Sequence, residues 1–405
     1  LFRKIILFGF SEALVKLMPV LTTFILASRV SPEQIGFIAL AVILLEIIFI
    51  LISNNIQATT RIDFFKLPLQ YFIIETNRKF TYTALIYSVV LAFTAYPIYN
   101  SYSQYFLLVF IPLMRVYSQF SLSYCQCSKN TLEYCYIQLA FIIPFTVFFF
   151  LFYGDGVVGW SNSYFLASTV QLICALLIIK KQNIKFSLLL TTNAWKDIYL
   201  TFLSGLVFMP QAIGWWIKSA FERYVISLSY GLGMLGIYSF AYQFSSALAL
   251  LMTAINLTIV PEINTLLKSE HPRRFVKINK IYLYSSLLLA VSTAIISALG
   301  VYITEWLYSK YSAGSPYIYY ALISVFFQSV SVMMMNELYY SDKGKFVSLL
   351  IVFLSIVQSI FSYVIAQCFS IDVLLISSII FNLILLMLTL IKLREIRNIE
   401  SASYY

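Results

Sequence analysis

The sequence predicts an all-α integral membrane protein: twelve transmembrane helices in two six-helix lobes that repeat one another in parallel. Three observations carry this. First, the 405 residues are 61% hydrophobic and 11% charged, with a mean hydropathy of +0.86. Soluble domains carry about 25% charged residues, so too little polar surface exists here to face water. Second, apolar runs of roughly 20 residues, the length that spans about 30 Å of hydrocarbon, recur from end to end. Third, Lys and Arg crowd into alternate connections between those runs.

Backbone polar groups in lipid must be satisfied internally, which leaves helices or a closed barrel. Barrel strands would read as ten-residue alternating segments. Continuous runs such as 47–52 and 137–152 read as helices instead. The spans fall at about 2–27, 34–60, 79–98, 104–126, 132–153, 157–180, 197–225, 234–262, 281–303, 316–339, 345–369 and 371–393. Residues 1–190 would form one lobe and 191–405 the other. Helix breakers mark the joints. Ser31-Pro32 ends the first helix and Pro97 the third. Gly154-Asp155-Gly156 separates the fifth from the sixth, and Gly231 with Gly233 the seventh from the eighth. Ser315-Pro316 opens the tenth. The first segment is basic then apolar. No small-residue cleavage site follows it and Lys16 interrupts it, so it reads as a membrane helix, not a signal peptide.

Charge tests the count of twelve. With the N-terminus in the cytoplasm, the cytoplasmic segments hold twenty-one cations, among them Arg61, Lys66, Arg78 and Lys79, and Lys392, Arg394 and Arg397. The outer connections hold Arg29 and Lys310. Lys16, Arg115, Lys218 and Arg223 lie inside helices, which accounts for all 27. This is a positive-inside pattern with both termini cytoplasmic. The net charge of +10 therefore reports topology and headgroup contact, not nucleic-acid binding. No P-loop or other nucleotide motif is present. Cys125-x-Cys127 has poor zinc spacing and reads as apolar packing, and His271 stands without ligand partners. No metal, cofactor or enzymatic activity is expected.

The two halves resemble each other in register. Gly36, Ala41 and Leu51 match Gly236, Ala241 and Leu251 at an offset of 200. Asn77-Arg78-Lys79-Phe80-x-Tyr82 faces Asn279-Lys280-Ile281-Tyr282-x-Tyr284 at 202, and Ser128-Lys129-Asn130 faces Asp342-Lys343-Gly344 at 214. Six helices per half give both the same orientation. Transporters with such parallel repeats hold substrate between the halves.

Charges inside the spans carry the functional reading. A Lys or Arg at mid-membrane costs about 2.5–3.5 kcal/mol on insertion scales. The chain keeps Glu12, Lys16, Glu46, Arg115, Lys218, Glu222 and Arg223 within helical segments, so most should face an interior cavity. Helical spacing agrees: Glu12, Lys16, Pro19 and Thr23 share a face, as do Glu46, Ser53, Gln57 and Thr60, and Ser204, Gln211, Lys218 and Glu222. Lys16 and Lys218 lie 202 apart, the repeat spacing, and are expected to face one another. The bland alternative is that Glu12–Lys16 and Lys218–Glu222 are i,i+4 pairs that neutralise each other, that Arg115 ties two helices together, and that Arg223 snorkels. A cavity with excess cation would favour an anionic substrate, such as a phosphate-bearing headgroup.

Two stretches carry a resemblance. Ser28-Arg29-Val30-Ser31-Pro32-Glu33-Gln34-Ile35-Gly36-Phe37 resembles the first loop of the bacterial polysaccharide flippases. Phe221-Glu222-Arg223-Tyr224-Val225-Ile226-Ser227, followed by Leu235-Gly236-Ile237-Tyr238-Ser239-Phe240-Ala241-Tyr242, resembles that family's seventh-to-eighth helix signature, with Glu222 where Asp is commoner. Pro261-Glu262 and the Asp342-Lys343-Gly344-Lys345 turn also fit. The chain is thus similar to O-antigen flippases of the Wzx type, in the multidrug/oligosaccharidyl-lipid/polysaccharide (MOP) exporter superfamily. The resemblance implies two lobes in a V, as in MATE proteins, with helices 1, 2, 7 and 8 lining a central cavity in the bacterial inner membrane. It implies translocation of undecaprenyl-pyrophosphate-linked oligosaccharide by alternating access, in the company of membrane lipids and of an O-antigen polymerase and chain-length regulator. In that picture Lys16, Arg115, Lys218 and Arg223 contact the anionic groups, and Glu12, Glu46 and Glu222 are candidate carriers of a coupling proton or sodium ion.

Two rivals remain from the residues alone. A drug or cation antiporter of the same superfamily would want a net acidic cavity, whereas four intramembrane cations stand here against three acids. An O-antigen polymerase would carry a long outer loop with catalytic Arg residues, and the expected outer loops hold only Arg29 and Lys310.

Overall fold

A computed structural model describes residues 2–182, 194–206, 209–268 and 273–402. Within its helices it places all side chains but those of residues 2–10, 12, 94–102, 194–195, 197–198, 257 and 399–402. His271 and the side chain of Glu12 lie outside the described residues. The described chain is all-helical: α1 (Phe2–Ala27), α2 (Pro32–Ser53), α3 (Ile56–Lys66), α4 (Leu69–Tyr102), α5 (Ile111–Cys127), α6 (Thr131–Leu151), α7 (Gly156–Lys181), α8 (Ala194–Leu206), α9 (Met209–Lys268), α10 (Arg274–Leu307), α11 (Ser315–Tyr340), α12 (Gly344–Cys368) and α13 (Ile371–Ala402). Short 3-10 turns precede α5, α7 and α11. Each of the twelve expected spans falls on a helix. Among the described residues, nine helical stretches are long and apolar enough to cross a membrane.

Four spans depart from their expected form. The second is not one helix over 34–60: Asn54 and Asn55 adopt left-handed φ values of 44° and 54°, conformations that Asn tolerates better than most residues. The carbonyls this break frees must find partners, since lipid offers none. The Thr83 hydroxyl donates to the Ile52 carbonyl at 3.1 Å, and the side chain of Asn54 at the break ties it to α8, its Nδ2 donating to the Thr201 carbonyl at 2.7 Å. The third helix begins near residue 69, ten residues earlier than expected. Lys79 is therefore not a loop cation but a helical one, buried and paired with Asp63 at 2.5 Å. The seventh span is divided between α8 and α9, and its second part runs on into the eighth within α9, broken at Gly231, where φ 85° and ψ 169° leave the helical region; only glycine adopts such a backbone without strain.

The chain divides into two compact units. One comprises residues 1–19 and 40–213, the other 20–39 and 214–405. In the first, α6 packs on α7 and α5 on α7. Its core is aromatic, built on Phe72, Phe80, Phe120 and Tyr124, with Phe80 stacked on Tyr117 at 4.5 Å. In the second, α11 packs against α13 and α10, and the core is aliphatic, with Ile351, Leu354, Leu385 and Met335.

The second unit also contains the clearest trace of the repeat. At the start of α2, Ser31 caps the helix: its backbone N–H donates to Gln34 Oε1 at 3.2 Å, half of a capping box. Next to it, α2 crosses the second half of α9 with no room for a side chain. A Cβ on Gly36 would overlap the Leu232 carbonyl oxygen, and one on Gly236 would overlap the Pro32 carbonyl oxygen. Positions 32 and 36 thus meet 236 and 232 reciprocally, so each partner is the other's equivalent at the offset of 200. Such self-complementarity is what a two-fold axis produces, and small residues allow the close approach.

Candidate functional site

In the first unit, α5 presents Arg115 one turn before Gln119, and both reach the second span. Arg115 Nη1 donates to Glu46 Oε1 at 2.6 Å, and Gln57 Nε2 donates to Gln119 Oε1 at 2.7 Å. The helix break at Asn54–Asn55 thus leaves the polar side of the second span facing α5. The ion pair is partly open, with side chains 30% and 37% exposed. The Arg115 guanidinium also lies 4.5 Å from the centre of the Phe49 ring, a cation–π contact. Lys16, on α1, is exposed and belongs to this unit.

The second unit gathers its charges differently. Lys218 and Glu222 sit one turn apart on α9, each only 8% exposed. Lys218 does not bond directly to Glu222; a string of neutral groups joins them. Lys218 Nζ donates to Gln358 Oε1 at 3.3 Å. Gln358 Nε2 donates to Ser378 Oγ at 3.1 Å. The Ser378 hydroxyl donates to Glu222 Oε2, and the Tyr238 hydroxyl donates to Glu222 Oε1. Every donor in the string points from the ammonium toward the carboxylate. An ammonium cannot accept, so Gln358 must turn its oxygen to Lys218.

These groups line a cavity that Asn382 also enters. Its free space is about 40 Å³, room for on the order of three waters at ~10–15 Å³ each, and too small for a sugar. Arg223 lies beside it, its guanidinium 4.3 Å from the Tyr242 ring centre. Asn382 is 3% exposed. Its Nδ2 donates to Ser324 at 2.7 Å, while its Oδ1 is buried without a partner.

Of the seven expected residues, the structure joins Glu46 with Arg115 and gathers Lys218, Glu222 and Arg223. It places Lys16 and Lys218 in different units. The shared face expected for Ser204 and Lys218 is divided between α8 and α9. The i,i+4 pairing of Lys218 with Glu222 is replaced by the relay. The sequence reading missed Gln358, Ser378 and Asn382, neutral residues 136 to 164 positions from the charges they serve by chain numbering. It also missed a buried cluster at the other end of the second unit, where Arg397 Nε and Nη2 hold both Glu337 oxygens at 2.6 Å and the Tyr282 hydroxyl donates to the same carboxylate at 3.2 Å.

The architecture is that of a multi-pass helical membrane protein whose fold resembles that of MATE transporters of the MOP superfamily. A solved structure described as the inward-facing conformation of a multidrug resistance MATE family transporter of that superfamily matches at a TM-score of 0.68 and 13% identity, over 95% of this chain and 96% of its own. An outward-facing structure of such a transporter matches at 0.56 and 15%, over 98% and 97%, and a crystal structure of a MATE mutant at 0.58 and 13%, over 99% and 97%. At these identities the likeness is one of fold. No family model and no curated protein matches the chain.

Proposed function

We propose that this protein is a flippase that moves anionic, lipid-linked oligosaccharide, of the undecaprenyl-pyrophosphate type used for O-antigen, across the bacterial inner membrane by alternating access, with both termini in the cytoplasm. The observation that carries the reading is the retention of cations at membrane depth on a MATE-like fold: Arg115, Lys218 and Arg223 stand inside spans beside polar partners, as a path for a pyrophosphate requires. Lys16, exposed on α1, joins them as a contact for the anionic headgroup. Arg115 suits this best, since its planar fork is partly open and matches phosphate oxygens.

Deleting the gene should abolish surface polysaccharide, and the wild-type gene should restore it. The Lys16→Ala, Lys218→Ala double variant should fail to restore it at equal protein level; normal export would overturn the cavity assignment. A second reading, export of drugs, is favoured by the description of the matched structures as multidrug resistance transporters. It predicts that the deletion strain gains drug sensitivity while its surface polysaccharide stays intact.

A further inference from the structure

The hydrogen bonds to Glu222 are complete for one charge state, and among the described residues that line the cavity one acceptor is left over. With Glu222 ionised, the carboxylate receives the Ser378 and Tyr238 hydroxyls. Ser378 Oγ in turn receives Gln358 Nε2, whose orientation Lys218 fixes. The group left over is Asn382 Oδ1, a buried acceptor with no donor. Leaving such a group unmade costs about 1–3 kcal/mol. Asn382 stands four residues beyond Ser378 on α13, hence on the same face, and both line the same cavity.

We propose that Glu222, Ser378 and Asn382 form a two-position proton switch. In the first position Glu222 is ionised, Ser378 donates to it, and Asn382 Oδ1 is unpaired. In the second, a proton delivered through a cavity water adds to Glu222 Oε2. The new carboxylic O–H donates to Ser378 Oγ, and the Ser378 hydroxyl rotates to donate to Asn382 Oδ1. Ser378 can accept twice and donate once, so its bond from Gln358 survives. The O–H bond formed on Glu222 is matched by the O–H bond broken on the cavity hydronium that delivers the proton, and the return step gives the proton back to a cavity water. The orphan acceptor of one state is the receiver of the other. The charged and titratable groups facing Glu222 are Lys218 and Arg223 from the first part of α9, Tyr238 and Tyr242 from the second part, and Tyr320 from α11; α12 and α13 contribute the uncharged Gln358, Ser378 and Asn382. Lys218 is in this arrangement a positioning residue, the ammonium whose bond to Gln358 sets the relay's direction.

Infrared spectra of the purified protein in lipid discs test this without substrate, so the outcome is separate from that of the transport reading. A protonated-carboxyl C=O band should titrate with pH in the wild type and be missing in Glu222→Gln. Ser378→Ala removes a donor from the ionised form and should raise the proton affinity of Glu222 about tenfold. Asn382→Leu removes the acceptor that the protonated form uses and should lower it about fivefold. Opposite shifts are what a merely structural role for the two residues would not give, and they are readable even if Glu222→Gln fails to fold. Shifts of the same sign, or no titrating band from Glu222 between about pH 4 and pH 10, would overturn the proposal.

Discussion

The two units bury charge in different ways. In the first, Arg115 and Glu46 touch directly and remain about one-third exposed. In the second, Lys218 and Glu222 are more than nine-tenths buried and are joined through Gln358 and Ser378. A direct, partly wet pair can exchange one partner for an incoming anion at small cost, because water screens what is left behind. A buried pair held by a neutral relay cannot release either charge without stranding the other. The difference separates two jobs that composition alone merges: contacting an anionic headgroup, and holding or sensing charge. Under the proposed function Arg115 suits the first job, and the Lys218–Glu222 cluster takes on the second in addition to the place of Lys218 on the path.

The largest effect should come from breaking the second unit's pair. Lys218→Met takes the relay's cation from Glu222 and leaves it Arg223 alone, which should cost up to about 3–5 kcal/mol, read as a lowered melting temperature of the purified protein. Adding Glu222→Gln should recover most of it. If the double variant is as unstable as the sum of the singles, the relay does not link them. Next in size is Gln358→Leu, which removes a bond to a charged donor and should cost about 1.5–3 kcal/mol. Arg115→Met should cost less, about 1–2 kcal/mol after allowance for solvent screening, yet reduce export more than tenfold, because an exposed fork is lost from the path. Equal stability loss at Arg115 and Lys218 would erase the distinction between the units.

How much of this was legible follows from what each signal measures. Helix number was legible because hydrocarbon thickness sets a length that apolar runs must reach. Charges inside those runs stood out for the same reason. The edge of an apolar run places Lys79 and Arg397 in loops, because it marks the hydrocarbon boundary and not the helix end. The helices continue past it: α4 and α13 have 34 and 32 residues, about 50 Å at 1.5 Å per residue, well beyond a hydrocarbon core of about 30 Å. The break at Asn54–Asn55 was not legible, since its stability rests on Thr83 and on the Thr201 carbonyl, far along the chain. The Gly36–Gly236 match was visible as a repeat in sequence, but its meaning, a reciprocal backbone crossing, needs three dimensions. The relay escaped notice because Gln358, Ser378 and Asn382 are uncharged, and single polar residues in membrane helices give no signal about what they face.

The smallest prediction compares the two glutamines. Gln119 in the first unit and Gln358 in the second each bridge two spans, but Gln119 bonds a neutral amide whereas Gln358 bonds an ammonium. Hydrogen bonds between membrane helices average about 0.6 kcal/mol and reach about 1.7 kcal/mol, because the unpacked helix also finds partners. Gln119→Leu should therefore cost about 0.5–1.5 kcal/mol and leave export at Arg115 within about twofold, while Gln358→Leu costs more. The same thermal-melting measurement on both variants decides it. A Gln119 cost equal to that of Gln358 would mean that the charge at Lys218 adds nothing to the bond it makes, and the directed relay would then be a coincidence of side-chain packing.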